Sequence, residues 1–328
     1  MSPRPAISSV SPLRAVEGGR VTLRGRGFPV DRIPEISVGD QPARVLFASS
    51  ARIVIALPSD LDSGPRPIRI EDVAGETVYV SVGGAWATGL HQVDSPVFDA
   101  RGNLFVTYSG SRGQEAPVSI FRVTREGTRE PFVSGIVNAT SMALGPDGRL
   151  YVSSRFEGAV YRVNADGSHE RVASDLGVAC GLAFDADGSL YVGDRSGTIF
   201  RIRDGQPQPF ATLPGSVAAF HLAMSPSGDL FVSAPTLASY DHVYRIGRDG
   251  SVRSLLTPFG RPQGLAFSPD GGVLHVIDAL AGSGGLYRLP DLDGEPELVA
   301  SGTGFVGVAF GPGGELAVTS NETAYRFE

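Results

Sequence analysis

The chain has 328 residues, 43 Gly, 24 Pro and a formal net charge of -7, long enough for two domains and rich in turn residues. All 28 basic residues are Arg, which excludes a lysine Schiff base or lysine nucleophile, and the acidic balance without a basic stripe argues against nucleic acid. The single cysteine, Cys180, excludes an intrachain disulfide.

No apolar stretch follows Met1-Ser2-Pro3-Arg4, so the default expectation is a cytoplasmic protein, or a secreted one if a signal has been removed. No apolar run approaches the length of about 18 residues that a membrane helix needs. Residues 1–82 read as short strands at 6–10, 20–24, 35–38, 43–48, 52–57, 68–72 and 77–82. Gly, Pro and Asp separate them, and apolar residues alternate (Val21, Leu23; Ile53, Ile55), as in a half-buried sandwich.

Three stretches of this segment are distinctive. They are Ile7-Ser8-Ser9-Val10-Ser11-Pro12, the run from Gly18-Gly19 to Gly25-Arg26-Gly27-Phe28, and Val38-Gly39-Asp40 with Leu57-Pro58. On these residues the segment resembles the immunoglobulin-like IPT/TIG domains. The resemblance implies a spacer or partner-docking module, with Phe28 plugging the core beside a glycine-permitted bend.

From residue 83 onward a six-fold echo takes over: Phe121-Arg122-Val123, Tyr161-Arg162-Val163, Phe200-Arg201-Ile202, Tyr244-Arg245-Ile246, Tyr287-Arg288-Leu289 and Tyr325-Arg326-Phe327. A period of about 40 residues is the signature of stacked small sheets, so residues 83–328 are expected to form a six-bladed β-propeller. Asp147-Gly148, Asp187-Gly188 and Asp270-Gly271 are the inner hairpin turns. The recurrent aromatic is expected between blades, and its Arg neighbour on a solvated, cross-strand-paired ring. The sixth unit lacks a fourth strand, and Ala85-Trp86-Ala87-Thr88 sits where one should be. That segment is predicted to pair with Ala324-Tyr325-Arg326-Phe327 and close the ring.

The inner-strand pattern, as in Arg261-Pro262-Gln263-Gly264-Leu265-Ala266-Phe267-Ser268-Pro269-Asp270-Gly271, resembles NHL repeats and the family of gluconolactonases, senescence marker protein and luciferin-regenerating enzymes. In its lactonases a divalent metal (Ca, Zn or Mn as candidates) sits at one channel mouth, which the resemblance places at Asp94, Thr140, Cys180, Phe220, Gln263 and Val306. Only Asp94 keeps an acidic ligand there, in Asp94-Ser95-Pro96-Val97-Phe98. The family's Asn falls on Cys180 and its second carboxylate on Phe220, so no cofactor is required by the residues present. Asp94, Asp194, Asp278 and His221 are the candidates for a rebuilt metal or acid–base site, with Arg155 and Arg195 beside them at strand ends. The alternative for each Asp is a turn cap, and for Cys180 a small channel-wall residue.

Gly302-Thr303-Gly304-Phe305-Val306-Gly307 fits G-x-G-x-x-G but opens no helix, so a dinucleotide reading fails. The sequence therefore favours a non-catalytic binding or scaffold propeller with a ligand at the channel mouth. That ligand is a small molecule, sugar-like or peptide-like, or a protein partner; nucleic acid and membrane are not expected, and the oligomeric state is open. The rival is a metal-dependent hydrolase of lactones or related esters with a rebuilt site. A lyase or isomerase using His221 with Arg155 or Arg195 is a third reading.

Overall fold

A computed structural model describes residues 5–29, 31–71, 73, 77–280, 282 and 284–327. The predicted strand end at Asp72, the stop at Glu328 and the opening Met1-Ser2-Pro3-Arg4 lie outside the described residues. Every regular element among them is a strand.

The first part is a sandwich. One sheet runs in the order Ala6–Ser11, Arg20–Arg26, Arg52–Ala56, Arg44–Ala48; the other holds Val78–Val82, Gly64–Ile70, Ile36–Val38 and Gln41–Pro42. Alternation buries Val21, Leu23, Ile53 and Ile55 completely, and Phe28 plugs the same core at 2% exposure. The glycine before it is obligatory: a Cβ on Gly25 would stand 2.4 Å from the Phe28 ring and 2.2 Å from the Ala6 carbonyl. The strand expected at 68–72 begins earlier, at Gly64. Pro65 and Pro67 lie opposite Ser81 and Tyr79, while Ile36–Val38 pairs with Ile68–Ile70 and the Pro67 carbonyl accepts the Gly39 amide at 2.8 Å just beyond that ladder.

The second part is a ring of six four-stranded blades. Blade one is Val97–Phe98, Leu104–Thr107, Ile120–Val123 and Arg129–Val133; blade two is Ala139–Leu144, Leu150–Ser154, Ala159–Val163 and His169–Ala173. Blade three is Ala179–Phe184, Leu190–Asp194, Thr198–Arg203 and Gln206–Thr212; blade four is His221–Met224, Leu230–Ser233, Asp241–Ile246 and Val252–Phe259. Blade five is Pro262–Phe267, Leu274–Asp278, Gly285–Leu289 and Glu297–Ser301. Blade six has Phe305–Phe310, Leu316–Ser320 and Thr323–Phe327 from the end of the chain, and its outer strand is Gly84–Thr88. The ring is thus closed as the sequence predicts, with Ala85 opposite Tyr325.

The inner hairpins of blades one to five turn on an Asx-type or hydroxyl cap, and in blade six the Glu315 carboxylate accepts the Gly313 amide at 2.8 Å. Asp185, for example, accepts the Asp187 and Ser189 amides at 3.0 and 2.8 Å, with Gly188 at φ +83° taking the left-handed position. Six apolar clusters fill the six spaces between blades, and the repeated aromatic faces each: Tyr161 joins that of blades one and two, Tyr325 that of blades five and six. The repeated arginines lie on the opposite face. Arg122, Arg162, Arg245 and Arg288 pair with Glu130, Glu170, Asp229 and Glu297, while Arg201 and Arg326 lie over the rings of Phe210 and Trp86.

A two-residue strand not foreseen from the sequence, Arg14–Ala15, lies parallel between Ser81–Val82 of the sandwich and Ala300–Ser301 of blade five. It makes one nine-stranded sheet out of half the sandwich and one blade. Val16, 1% exposed, packs into the core between blades five and six.

Candidate functional site: the channel mouth

The inner strands enter the channel at one mouth, and there four buried side chains form a line across the bore. The Asp94 carboxylate, just ahead of blade one, accepts the Ser95 amide at 2.6 Å and the Ser141 hydroxyl of blade two. Its Oδ1 also lies 2.5 Å from His221 Nδ1 of blade four, and His221 Nε2 lies 3.0 Å from Gln263 Oε1 of blade five. Either the imidazole donates from both nitrogens, or the Gln263 amide is turned to donate to it. In both cases neither nitrogen is left to receive a substrate proton. The Ser141 hydroxyl points at the carboxylate and not at the imidazole, so the set lacks the nucleophile–base contact of hydrolytic triads.

Beside this line the seam of the ring is held by Gln92. Its amide donates to the Asp94 carbonyl at 2.6 Å and its oxygen accepts the Thr107 amide at 2.7 Å, while Asn321 of blade six donates to its carbonyl at 2.8 Å.

The structure separates the remaining candidates. Asp194 accepts the Val178 amide at 2.8 Å and the Ser196 hydroxyl; Asp278 accepts the amides of Gly260, Arg261 and Leu280 at 3.0, 2.8 and 3.0 Å. Both are loop caps, with their lone pairs engaged in holding the connections into blades three and five. The predicted grouping of Asp94, Asp194 and Asp278 about one cation is therefore not assembled: among the described residues no three His, Cys, Asp or Glu side chains converge on one point. Asp278 is likewise withdrawn from acid–base work with His221.

Thr140, expected to face the metal position, instead donates to the Asn138 carbonyl at 2.8 Å, and its neighbour Ser141 reaches the bore. A register shift between Ala139 and Met142 moves the inward position by one residue. Blade four has no such shift in its inner hairpin, so His221 faces the bore and Phe220 is fully buried between blades three and four. Asn138, a formal glycosylation acceptor, is 1% exposed and its amide is bound to the carbonyls of Ser109 and Ser111. Ser141, Gln92 and Arg261 were not singled out from the sequence. Their common signal is position, at or just before the entry of an inner strand.

A lactonase-type cation needs several oxygen ligands. Here the ring of entry positions offers an apolar Phe220 and Val306, a Thr140 turned aside, and an Asp94 already holding three donors. These residues do not fit such an ion.

Against the Gln263 end of the buried line lies a cavity of about 350 Å³. Cys180 is part of its wall; burial, and then the Asp94 charge, push its thiol up to about 12, so it is a neutral wall residue at neutral pH. The polar lining is Gln92, Gln263, Asn321 and three arginines, Arg155, Arg195 and Arg261. Burial lowers the pKa of Arg155, as do Arg195 and Arg112 nearby.

These features belong to the class of six-bladed propellers preceded by an immunoglobulin-like domain. The IPT/TIG domain family matches residues 5–85, and the N-terminal part of the strictosidine synthase-like family matches residues 181–202. No curated protein sequence matches the chain. Among solved structures it is similar to an auxiliary nutrient binding protein from Bacteroides ovatus, with 12% identity, a TM-score of 0.57, and 99% of this chain and 98% of that one covered. It is similar to a putative gluconolactonase with 20% identity and a TM-score of 0.60, covering 75% of this chain and 91% of that one. Catalytically inactive virginiamycin B lyase from Staphylococcus aureus with quinupristin matches at 14% identity and a TM-score of 0.54, over 94% of this chain and 99% of that one. At these identities the likeness is one of fold.

Proposed function

We propose that this protein is a non-catalytic ligand-binding propeller whose ligand sits at the channel mouth. The reading rests on one contrast. The acid–base groups in the bore are buried and mutually hydrogen-bonded, whereas Arg155, Arg195 and Arg261 line an open cavity and, among the described residues, make no side-chain hydrogen bond or ion pair. Donors left free at a concave site are what a ligand uses. The description of the Bacteroides ovatus chain as a nutrient binding protein supports the reading.

The test is a thermal-shift screen of sugars, lactones and short peptides, alongside lactone hydrolysis with added calcium, zinc or manganese. A hit should raise the melting temperature of the parent protein and not that of Arg155→Gln/Arg195→Gln. Stoichiometric metal in the purified protein, lost together with lactone hydrolysis in Asp94→Ala, would overturn the reading in favour of a rebuilt hydrolase.

A further inference from the structure

The central cavity does not stop at the propeller. A second cavity of about 360 Å³ lies between sandwich and blade five, and it adjoins the first, with Ala279 and Gly304 lining both. The sandwich brings Arg20, Arg44 and Leu46 to it. Among the described residues neither lining contains an Asp or a Glu, although the chain carries a net charge of -7. Among the described residues Arg20 and Arg44, like Arg155, Arg195 and Arg261, make no side-chain hydrogen bond or ion pair. Elsewhere on the ring the repeated arginines are paired with carboxylates or laid on aromatic rings. An acid-free row of free guanidiniums is a complementary surface for carboxylates.

The shape and the apolar lining narrow the ligand. Two adjoining cavities suit an extended chain that occupies both better than a compact molecule that fills one. Among the described residues the one ring in either lining is Phe305, which is fully buried, so these residues offer a base or a sugar face no platform to stack on. Aliphatic groups are exposed along the groove instead: Val217 at 39%, Leu280 at 39% and Leu46 at 37%.

We propose that this groove binds an extended acidic peptide segment of a partner protein, with carboxylates on the five arginines and aliphatic side chains on Val217, Leu280 and Leu46. The sandwich then forms half of the binding site. The proposal rests on the channel mouth being the ligand site.

The experiment uses the full chain and a fluorescent, end-blocked peptide of alternating Glu and Leu, followed by anisotropy. Binding should weaken as salt shortens the Debye length from about 30 Å to about 8 Å. Arg20→Gln/Arg44→Gln and Arg155→Gln/Arg195→Gln should each weaken it about fivefold at an unchanged melting temperature, as expected for two exposed charge pairs. The Gln-for-Glu peptide should not bind. If the sandwich pair has no effect while the mouth pair does, the mouth stands as the ligand site and the two-domain groove is wrong. If the Gln peptide binds equally, or a uronic-acid oligosaccharide binds more tightly than the peptide, the ligand class is wrong. If the mouth pair alters the binding of no peptide, sugar or lactone, both proposals fall.

Discussion

His275 shows how one buried titratable residue sets a pH dependence. It is 7% exposed, its ring stands edge-on to Phe310 with centroids 4.9 Å apart, and burial, reinforced by Arg288, lowers its pKa. The folded state therefore prefers the neutral ring. Below the unfolded pKa of about 6.5 the unfolded chain takes up a proton that the folded chain refuses, so this contribution is present above that pH and is lost as pH falls toward the folded pKa. Denaturant melts at pH 7.5 and pH 5.5 should show a loss of stability on acidification, and His275→Gln should reduce that loss. An unchanged pH dependence in the variant would remove His275 from the account.

At the level of single strands, the outermost strand of blade six makes the sharpest prediction. Gly84–Thr88 pairs along Thr323–Phe327, and Trp86 anchors it: the ring is 8% exposed, its Nε1–H donates to the Thr124 carbonyl at 3.1 Å, and Phe98 and Arg326 lie against it at 5.7 and 5.0 Å. Trp86→Ala should cost about 3–5 kcal/mol, the usual range for removing a large buried aromatic, and removal of residues 1–89 should cost more. Because Trp86 is the only tryptophan, its fluorescence reports the closure directly. An unchanged melting temperature after the truncation would refute the role of this strand. The strand was legible in the sequence because the six-fold echo leaves a fourth strand missing, and the Asp-Gly turns set the frame for counting. What escaped was finer than a strand. A bulge in blade two shifts the bore-facing residue by one, which hid Ser141 behind Thr140, and its absence from the inner hairpin of blade four puts His221 one step off the frame. Arg14–Ala15 is too short to carry a period, and the caps made by Asp194 and Asp278 depend on loop amides that no pattern of side chains announces.

For the molecule as a whole, the joint between its parts governs cooperativity. Ala15, fully buried, accepts the Gly83 amide at 2.9 Å, and the next amide, Val16, donates to the Ser301 carbonyl at 3.0 Å. A Cβ on Gly19 would sit 2.5 Å from that same carbonyl, so the two bodies touch backbone to backbone. Calorimetry should therefore show sandwich and propeller melting in one transition. Ala15→Asp places a charge where no water reaches and should split the trace into two. Two transitions in the parent protein would contradict the shared sheet.

The outer strand of blade six has one more consequence, for the order of events during synthesis. Its residues leave the ribosome more than two hundred positions before their partners at Thr323–Phe327. Until then the half-made ring exposes a raw edge, and sealing it is a late, long-range step of the kind that slows folding and invites association between nascent chains.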